Sequence, residues 1–257
     1  MTPTTAVVTL SDDSRLPHVR NQIAALRRWA PGVTHYRADL GTERNLSRAR
    51  NAAADAAVGD GAHLLIFLDA DCIPGPALVR AYRFALEREP DAIHCGPVTY
   101  LRPEALDPVD PLGGLTALTD PHPARPNPRP GVLQEADPGQ FDLFWSLSFA
   151  VHARTWRDGP RFDESYEGYG GEDTDFAWLQ RRAGRRMFWV GGAHAYHQWH
   201  PVSSPPVEHL DDILANAARF HARWGSWPML GWLREFEELG LVRCEEGRWR
   251  RAPGPAP

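Results

Sequence analysis

The segment His63–Leu68 (HLLIFL), closed by Asp69-Ala70-Asp71, constrains the fold more than any other stretch of this chain. A surface strand alternates apolar and polar residues. A short run with no alternation is a strand covered on both faces, which requires a sheet with helices on either side. The flanking sequence supplies them. Val7–Leu10 (VVTL) reads as a short buried strand. Val19, Ile23, Leu26 and Ala30 recur at helical spacing until Pro31-Gly32 stops them. Asn45–Val58 reads as a second helix with Leu46, Ala49, Ala53 and Ala57 on one face. Pro74–Glu89 reads as a third, and Ala92–Cys95 as another short strand. The β-α-β-α-β alternation predicts an α/β fold, a sheet with helices on both faces.

Further on, Arg102–Gln140 holds nine prolines and little periodicity, which reads as an insertion or a lid over a site. Leu147–Val151 and Met187–Val190 read as strands, Glu172–Ala183 and Val207–Trp224 as helices, and the final APGPAP as a frayed tail.

Composition narrows the partners. At 257 residues and 42% hydrophobic the chain can bury a sizeable core without staples. Its net charge of −5 argues against general nucleic-acid binding. It has no apolar run near membrane-spanning length, and MTPTTAVVTLSDDSR does not read as a signal peptide. Three well-separated cysteines, Cys72, Cys95 and Cys244, make no disulfide framework, so the expectation is a cytoplasmic protein.

Three segments can carry chemistry. Asp69 and Asp71 follow the central strand, and ligands of open α/β sheets bind beyond the carboxyl ends of the strands. At i, i+2 one carboxylate can hold a divalent cation such as Mg²⁺ or Mn²⁺ while the other reaches a ribose hydroxyl. The bland alternative is a helix cap. The second segment, FDESYEGYGGEDTDFAWLQRRAG (162–184), brings Glu172, Asp173 and Asp175 behind the glycines around Tyr169. Acids favour a helix start anyway, but a glycine-rich loop delivering three of them also offers a general base for a sugar hydroxyl. The third, GGAHAYHQWHP, carries His194, His197 and His200. In an extended segment His194 and His200 share a face and His197 points away, so one of the three is expected at an aspartate-held metal. Arg50-Asn51 can meet a phosphate or brace Asp69. Trp145 and Trp199 are candidates for a stacking platform.

Together LSRARNAAADAA, FLDADCIP, the glycine-acid segment and AYHQWHP resemble the GT-A glycosyltransferases of family 2 type, with a C-terminal half similar to galactosyltransferase-type domains. The resemblance spans about residues 5–201. It implies that the central sheet is mixed and mostly parallel. It implies a catalytic domain over 1–201, divided into a nucleotide-sugar half (1–101), the proline-rich lid or insertion (102–140) and an acceptor and metal-histidine half (141–201). A helical extension follows at 202–257. It further implies Asp71 and His197 as ligands of Mn²⁺ or Mg²⁺, Asp69 beside the ribose, and Arg50 on the donor side. Asp173 becomes the catalytic base, Glu172 an acceptor carboxylate, and Tyr169, with Trp145, an aromatic contact of the acceptor. The early D-N-G-S-x-D nucleotide motif of the family is missing, leaving Asp39 as the uracil-side aspartate. Tyr169 stands where the family has tryptophan, and Thr174 where it has an acid.

The implied function is inverting, metal-dependent transfer from a nucleotide-diphosphate sugar, most simply a UDP-sugar, to a carbohydrate, glycolipid or small-molecule hydroxyl. A chain of this kind can also work at a membrane face on a lipid-linked acceptor, although no basic amphipathic anchor is evident. The alternatives are a nucleotidyltransferase, for which the glycine-and-basic loop after the first strand is absent, a metal-dependent sugar-nucleotide hydrolase, and a non-catalytic sugar-binding module.

Overall fold

The computed structural model describes residues 4–41 and 45–253. The expected frayed tail falls mostly outside them, at 254–257. In chain order the elements are β1 (Thr5–Ser11), α1 (Leu16–Trp29), β2 (Val33–Asp39), α2 (Leu46–Gly59), β3 (Leu64–Leu68), β4 (Cys72–Pro74), α3 (Leu78–Arg88), β5 (Ile93–Cys95), β6 (Val98–Tyr100), β7 (Leu133–Glu135), β8 (Ser148–His152), α4 (Ala153–Asp158), α5 (Glu172–Arg182), β9 (Met187–Val190), β10 (Ala195–His197), α6 (Leu210–Trp224), α7 (Leu230–Glu238), β11 (Val242–Glu245) and β12 (Arg248–Arg251).

The main sheet has seven strands in the order β2-β1-β3-β8-β5-β9-β7. β3 lies between parallel β1 and antiparallel β8, so the sheet is mixed, with β7 and β8 running against the rest. All five β3 residues are buried. Leu65 and Phe67 pack with α2, α4 and α5 through Ala54, Ala57, Trp156 and Phe176. Leu64, Ile66 and Leu68 pack with α1 and α3 through Leu26, Leu78 and Tyr82. Two covered faces are what an unbroken apolar strand needs, and truncating a residue such as Phe67 should cost ~3–5 kcal/mol. A second sheet, β4-β10-β6, carries the histidine segment alongside the turn after Asp71.

Some elements differ from expectation. β2 is an edge strand of mixed exposure with no apolar run, so its pattern is faint. The helix expected from Pro74 starts at Leu78, because Cys72–Pro74 pairs with β10. The proline-rich stretch is a strap tied down at several points. Leu112 and Leu115 pack with Ile73 and Tyr196, Arg125 is buried, and β7 pairs with β9. The C-terminal segment holds α6, α7 and the β11–β12 hairpin around its own apolar cluster. No helix among the described residues is long and apolar enough to cross a membrane.

Candidate active site

A cavity of about 630 Å³ opens beyond the carboxyl end of β3. Its lining includes Arg50, Asp69, Trp145, Tyr169, Glu172, Asp173 and His197, so seven residues singled out in the sequence share one space. Each arrives for a local reason. Asp69 is the first residue past β3. Arg50 sits on α2, whose N-cap Asn45 accepts from Arg48 N–H at 2.8 Å. Asn51 on the same helix donates to the Phe162 carbonyl at 2.9 Å and ties α2 to the FDES segment; it does not line the cavity. Glu172 and Asp173 open α5 after Gly170 and Gly171, whose φ angles of +94° and +87° a residue with a Cβ rarely adopts.

Arg50 lies between two acids, with Nη2 at 4.0 Å from Asp69 Oδ1 and Nη1 at 3.9 Å from Glu172 Oε1. Its Nη1 is buried with no hydrogen bond. A cation held near two carboxylates yet bonded to neither has donors left for an incoming anion. The carboxyls respond to this setting. Burial raises Asp69 above the ordinary carboxylate value; Arg50 opposes the shift, and Asp71 and Asp173 add to it. Asp69 keeps 40% of its side chain open to the cavity yet lies at depth, which is why burial still dominates. Burial likewise raises Glu172, helped by Asp173 and opposed by Arg50. Asp173 is raised by burial, against the Thr174 N–H that its Oδ1 accepts at 2.7 Å.

At the β3 end of the cavity, Asp71, His197 and His200 each offer a ligand atom, all within 4.8 Å of one another. His197 Nε2 is 3.4 Å from Asp71 Oδ1 and His200 Nε2 is 3.2 Å from Oδ2. Burial pushes Asp71 up, but the His200 contact, His197 and Arg15 outweigh it and hold the carboxyl below its usual value. Burial lowers His197 from its ordinary value, against the opposing pull of Asp71. One carboxylate and two imidazoles are a donor set that suits a divalent transition metal.

This corrects the reading of the histidines. His200 joins His197: β10 ends at His197, the Gln198 N–H still donates to the Asp71 carbonyl at 2.7 Å, and beyond it His200 Nε2 comes to 3.2 Å from Asp71 Oδ2. His194 is elsewhere, hydrogen-bonded to Thr99 Oγ1 at 2.7 Å and pushed down to about 4 by burial.

Other candidates fall outside the cavity. Asp39 ends β2 on the same sheet edge but is exposed, paired with Arg37 at 3.4 Å and capping Gly41 N–H. Trp199 is also outside, so it forms no platform with Trp145. Asp175 points into the core, where its carboxylate accepts from Arg223 at 3.0 and 2.8 Å and from Trp224 at 2.7 Å.

Several residues were not anticipated. Arg15 lies 3.9 Å from Asp71. His122, from the strap, lines the cavity edge-on to Trp145, with 5.0 Å between ring centroids. Arg125 lies beneath, its Cζ 5.0 Å from the Trp145 and Trp189 rings, whose faces stabilise the buried charge. Met229, Gly231 and Trp232 reach the cavity from the C-terminal segment. An arginine at the end of SDDSR or a tryptophan past residue 201 carries no sequence pattern that marks it.

Residues 4–120 match the family described as Glycosyl transferase family 2. A hyaluronan synthase from Pasteurella multocida is 28% identical over 156 residues, covering 52% of this chain and 16% of that protein, so the chain spans about a sixth of the relative's length. Among solved structures, GalNAc-T7 with UDP, GalNAc and Mn²⁺ superposes with a TM-score of 0.54 at 14% identity, over 87% of this chain and 48% of that one. TarS of S. aureus gives 0.54 at 9% identity, over 85% and 40%. A197 from STIV gives 0.50 at 15%, over 77% and 86%. At these identities the superpositions speak for the fold alone, and the sequence match for a likeness over residues 4–120. Residues 4–120 therefore resemble the glycosyltransferases of family 2, and the chain as a whole has the α/β fold of the glycosyltransferase structures it superposes on.

Proposed function

We propose that this chain transfers a sugar from a UDP-sugar to a hydroxyl acceptor with inversion, assisted by a divalent metal. One observation carries the reading. The carboxylate pair that can accept a proton, the strand-end Asp69 beside a half-bonded arginine, and a ligand of the metal cluster all open into the same cavity.

Asp71, His197 and His200 would hold the metal, and two nitrogen ligands favour Mn²⁺ over Mg²⁺, which prefers oxygen. Bound there, the metal would supply Lewis-acid stabilisation of a diphosphate leaving group. Arg50, with unused donors, binds donor oxygens and stays in place because Asp69 and Glu172 flank it. Asp69 accepts from a ribose hydroxyl. Asp173 takes the acceptor hydroxyl proton as that oxygen bonds to the anomeric carbon, while the bond to the diphosphate breaks on the opposite face and UDP leaves with the electron pair. Such a base contributes ~10²–10⁴-fold. Glu172 orients the acceptor and Trp145 walls it. Asp39 lies at the sheet edge where a uracil would extend, supported by that placement alone. The strap at 102–140 limits water access through His122. Three free cysteines support a cytoplasmic setting.

Calorimetric titration with UDP tests the donor reading. UDP should bind the parent in Mn²⁺ and lose most of its affinity in chelator or in Asp71→Ala. Equal binding with and without metal would refute it. Rapid loss of UDP-sugar to free sugar, indifferent to any acceptor, would instead favour the hydrolase alternative.

A further inference from the structure

The C-terminal segment lies beyond the matched family region, yet it shapes the cavity. Trp232, Met229 and Gly231 line it directly. The glycine loop is moulded on α6: Tyr169 N–H donates to Asp212 Oδ2 at 3.3 Å, and Asn216 Nδ2 donates to the Glu167 carbonyl at 2.9 Å. A Cβ at Gly170 would lie 2.9 Å from the Met229 sulfur, so the loop and the 229–232 turn pack directly on each other. The outcome is an aromatic wall. The Tyr169 ring is 5.9 Å from Trp232 at 29°, and 4.5 Å from His209 at 17°. Tyr169 remains 38% exposed.

The charges beside this wall are acids. Besides burial, Asp173, Glu172, Asp69 and Glu208 raise the Tyr169 phenol. Among the described lining residues Arg50 is the one permanent cation, and it is flanked by Asp69 and Glu172. A phosphate-bearing or uronic acceptor would face repulsion here. A neutral pyranose has an apolar C–H face for an aromatic ring and hydroxyls for the carboxylates, which matches the wall and the acids next to it.

We propose that Trp232 adds a saccharide platform to the acceptor side of the cavity, so that the acceptor is a neutral glycan stacked on Trp232 and the 229–232 turn sets acceptor specificity. The inference rests on the transferase reading of the same cavity. The step it serves is the one described: the acceptor hydroxyl loses its proton to Asp173 and its oxygen takes the sugar as UDP departs.

The test is saturation-transfer NMR and calorimetry on the full chain with UDP and Mn²⁺. The probes are N-acetylglucosamine, N,N′-diacetylchitobiose and lactose, set against glucuronic acid and N-acetylglucosamine 6-phosphate. At least one neutral saccharide should bind the parent. Trp232→Ala should weaken it by about 10-fold or more, and Trp232→Phe should restore most of the loss. UDP affinity should hold across the series, so the split between the two ligands is the readout. Thermal unfolding checks that each variant is folded. The inference is overturned if no neutral saccharide binds, if only the anionic sugars bind, or if Trp232→Ala binds like the parent. A parent that binds saccharide but not UDP sinks the donor reading and leaves the platform standing.

Discussion

Asp173 and Asp175 are two residues apart in the first turn of α5, but Asp173 lines the cavity while Asp175 is buried against α6, so the proposed function gives them different roles. Asp175→Asn tests that division. The Asp175 side chain is fully buried and holds Arg223 through two contacts of 3.0 and 2.8 Å and Trp224 through one of 2.7 Å, joining α5 to α6. Hydrogen bonds to charged groups contribute ~1.5–3 kcal/mol each. Three features lower the total. Asparagine still offers one oxygen, Arg223 is 33% exposed and keeps its contact with Asp163, and burial already works against the ionised Asp175. The expected cost is therefore about 2 kcal/mol, below the ~3–5 kcal/mol of a fully buried pair that loses one partner. For a chain of this size that is a fall of ~4–8 °C in Tm. Differential scanning fluorimetry of the parent, Asp175→Asn and Asp173→Asn checks it, together with UDP release. Asp175→Asn should melt early and keep much of its turnover below its melting point; Asp173→Asn should melt near the parent and lose turnover. The opposite pattern would refute the division.

Three further outcomes are expected. His200→Ala should weaken Mn²⁺ binding at least 10-fold by calorimetry, while His194→Ala, whose ring is engaged by Thr99, should leave it unchanged. Because burial raises Asp173 and Glu172, kcat/KM should fall as pH drops through a range above the usual carboxylate value of about 4, with ionised Asp173 the active form. The stability contribution of the pair moves the other way: the folded state binds protons more readily than the unfolded one there, so stability rises as pH falls through that window. Urea unfolding of Glu172→Gln should show less of this dependence than the parent.

The parts of the fold that rest on local pattern were legible in the sequence. Leu64–Leu68 of HLLIFL is buried on both faces, and Asp69 and Asp71 stand at its end because an unbroken apolar run permits little else. β2 was not legible, since an edge strand of mixed exposure carries no such run. The acids of GGEDTD could be located but not ranked: all three open one helix turn, and which faces the cavity depends on how α6 docks against α5 through Arg223. His200 was obscured by the assumption that the segment stays extended throughout, whereas β10 ends at His197 and His200 comes back to Asp71. Arg15 and Trp232 reach the site only through tertiary packing. Asp39 shows the converse, a residue at the right sheet edge that lies outside the cavity.

The central claim is that Asp173 accepts the acceptor proton at a metal-assisted donor site. Its most direct test is the single-turnover rate of sugar transfer by Asp173→Asn under saturating UDP-sugar and Mn²⁺, with UDP affinity measured on the same preparation. The account predicts a rate lower by ~10²-fold or more and an unchanged UDP affinity, because asparagine keeps the shape and the Thr174 contact but cannot take the proton. A folded Asp173→Asn that transfers sugar at the parent's rate would contradict it.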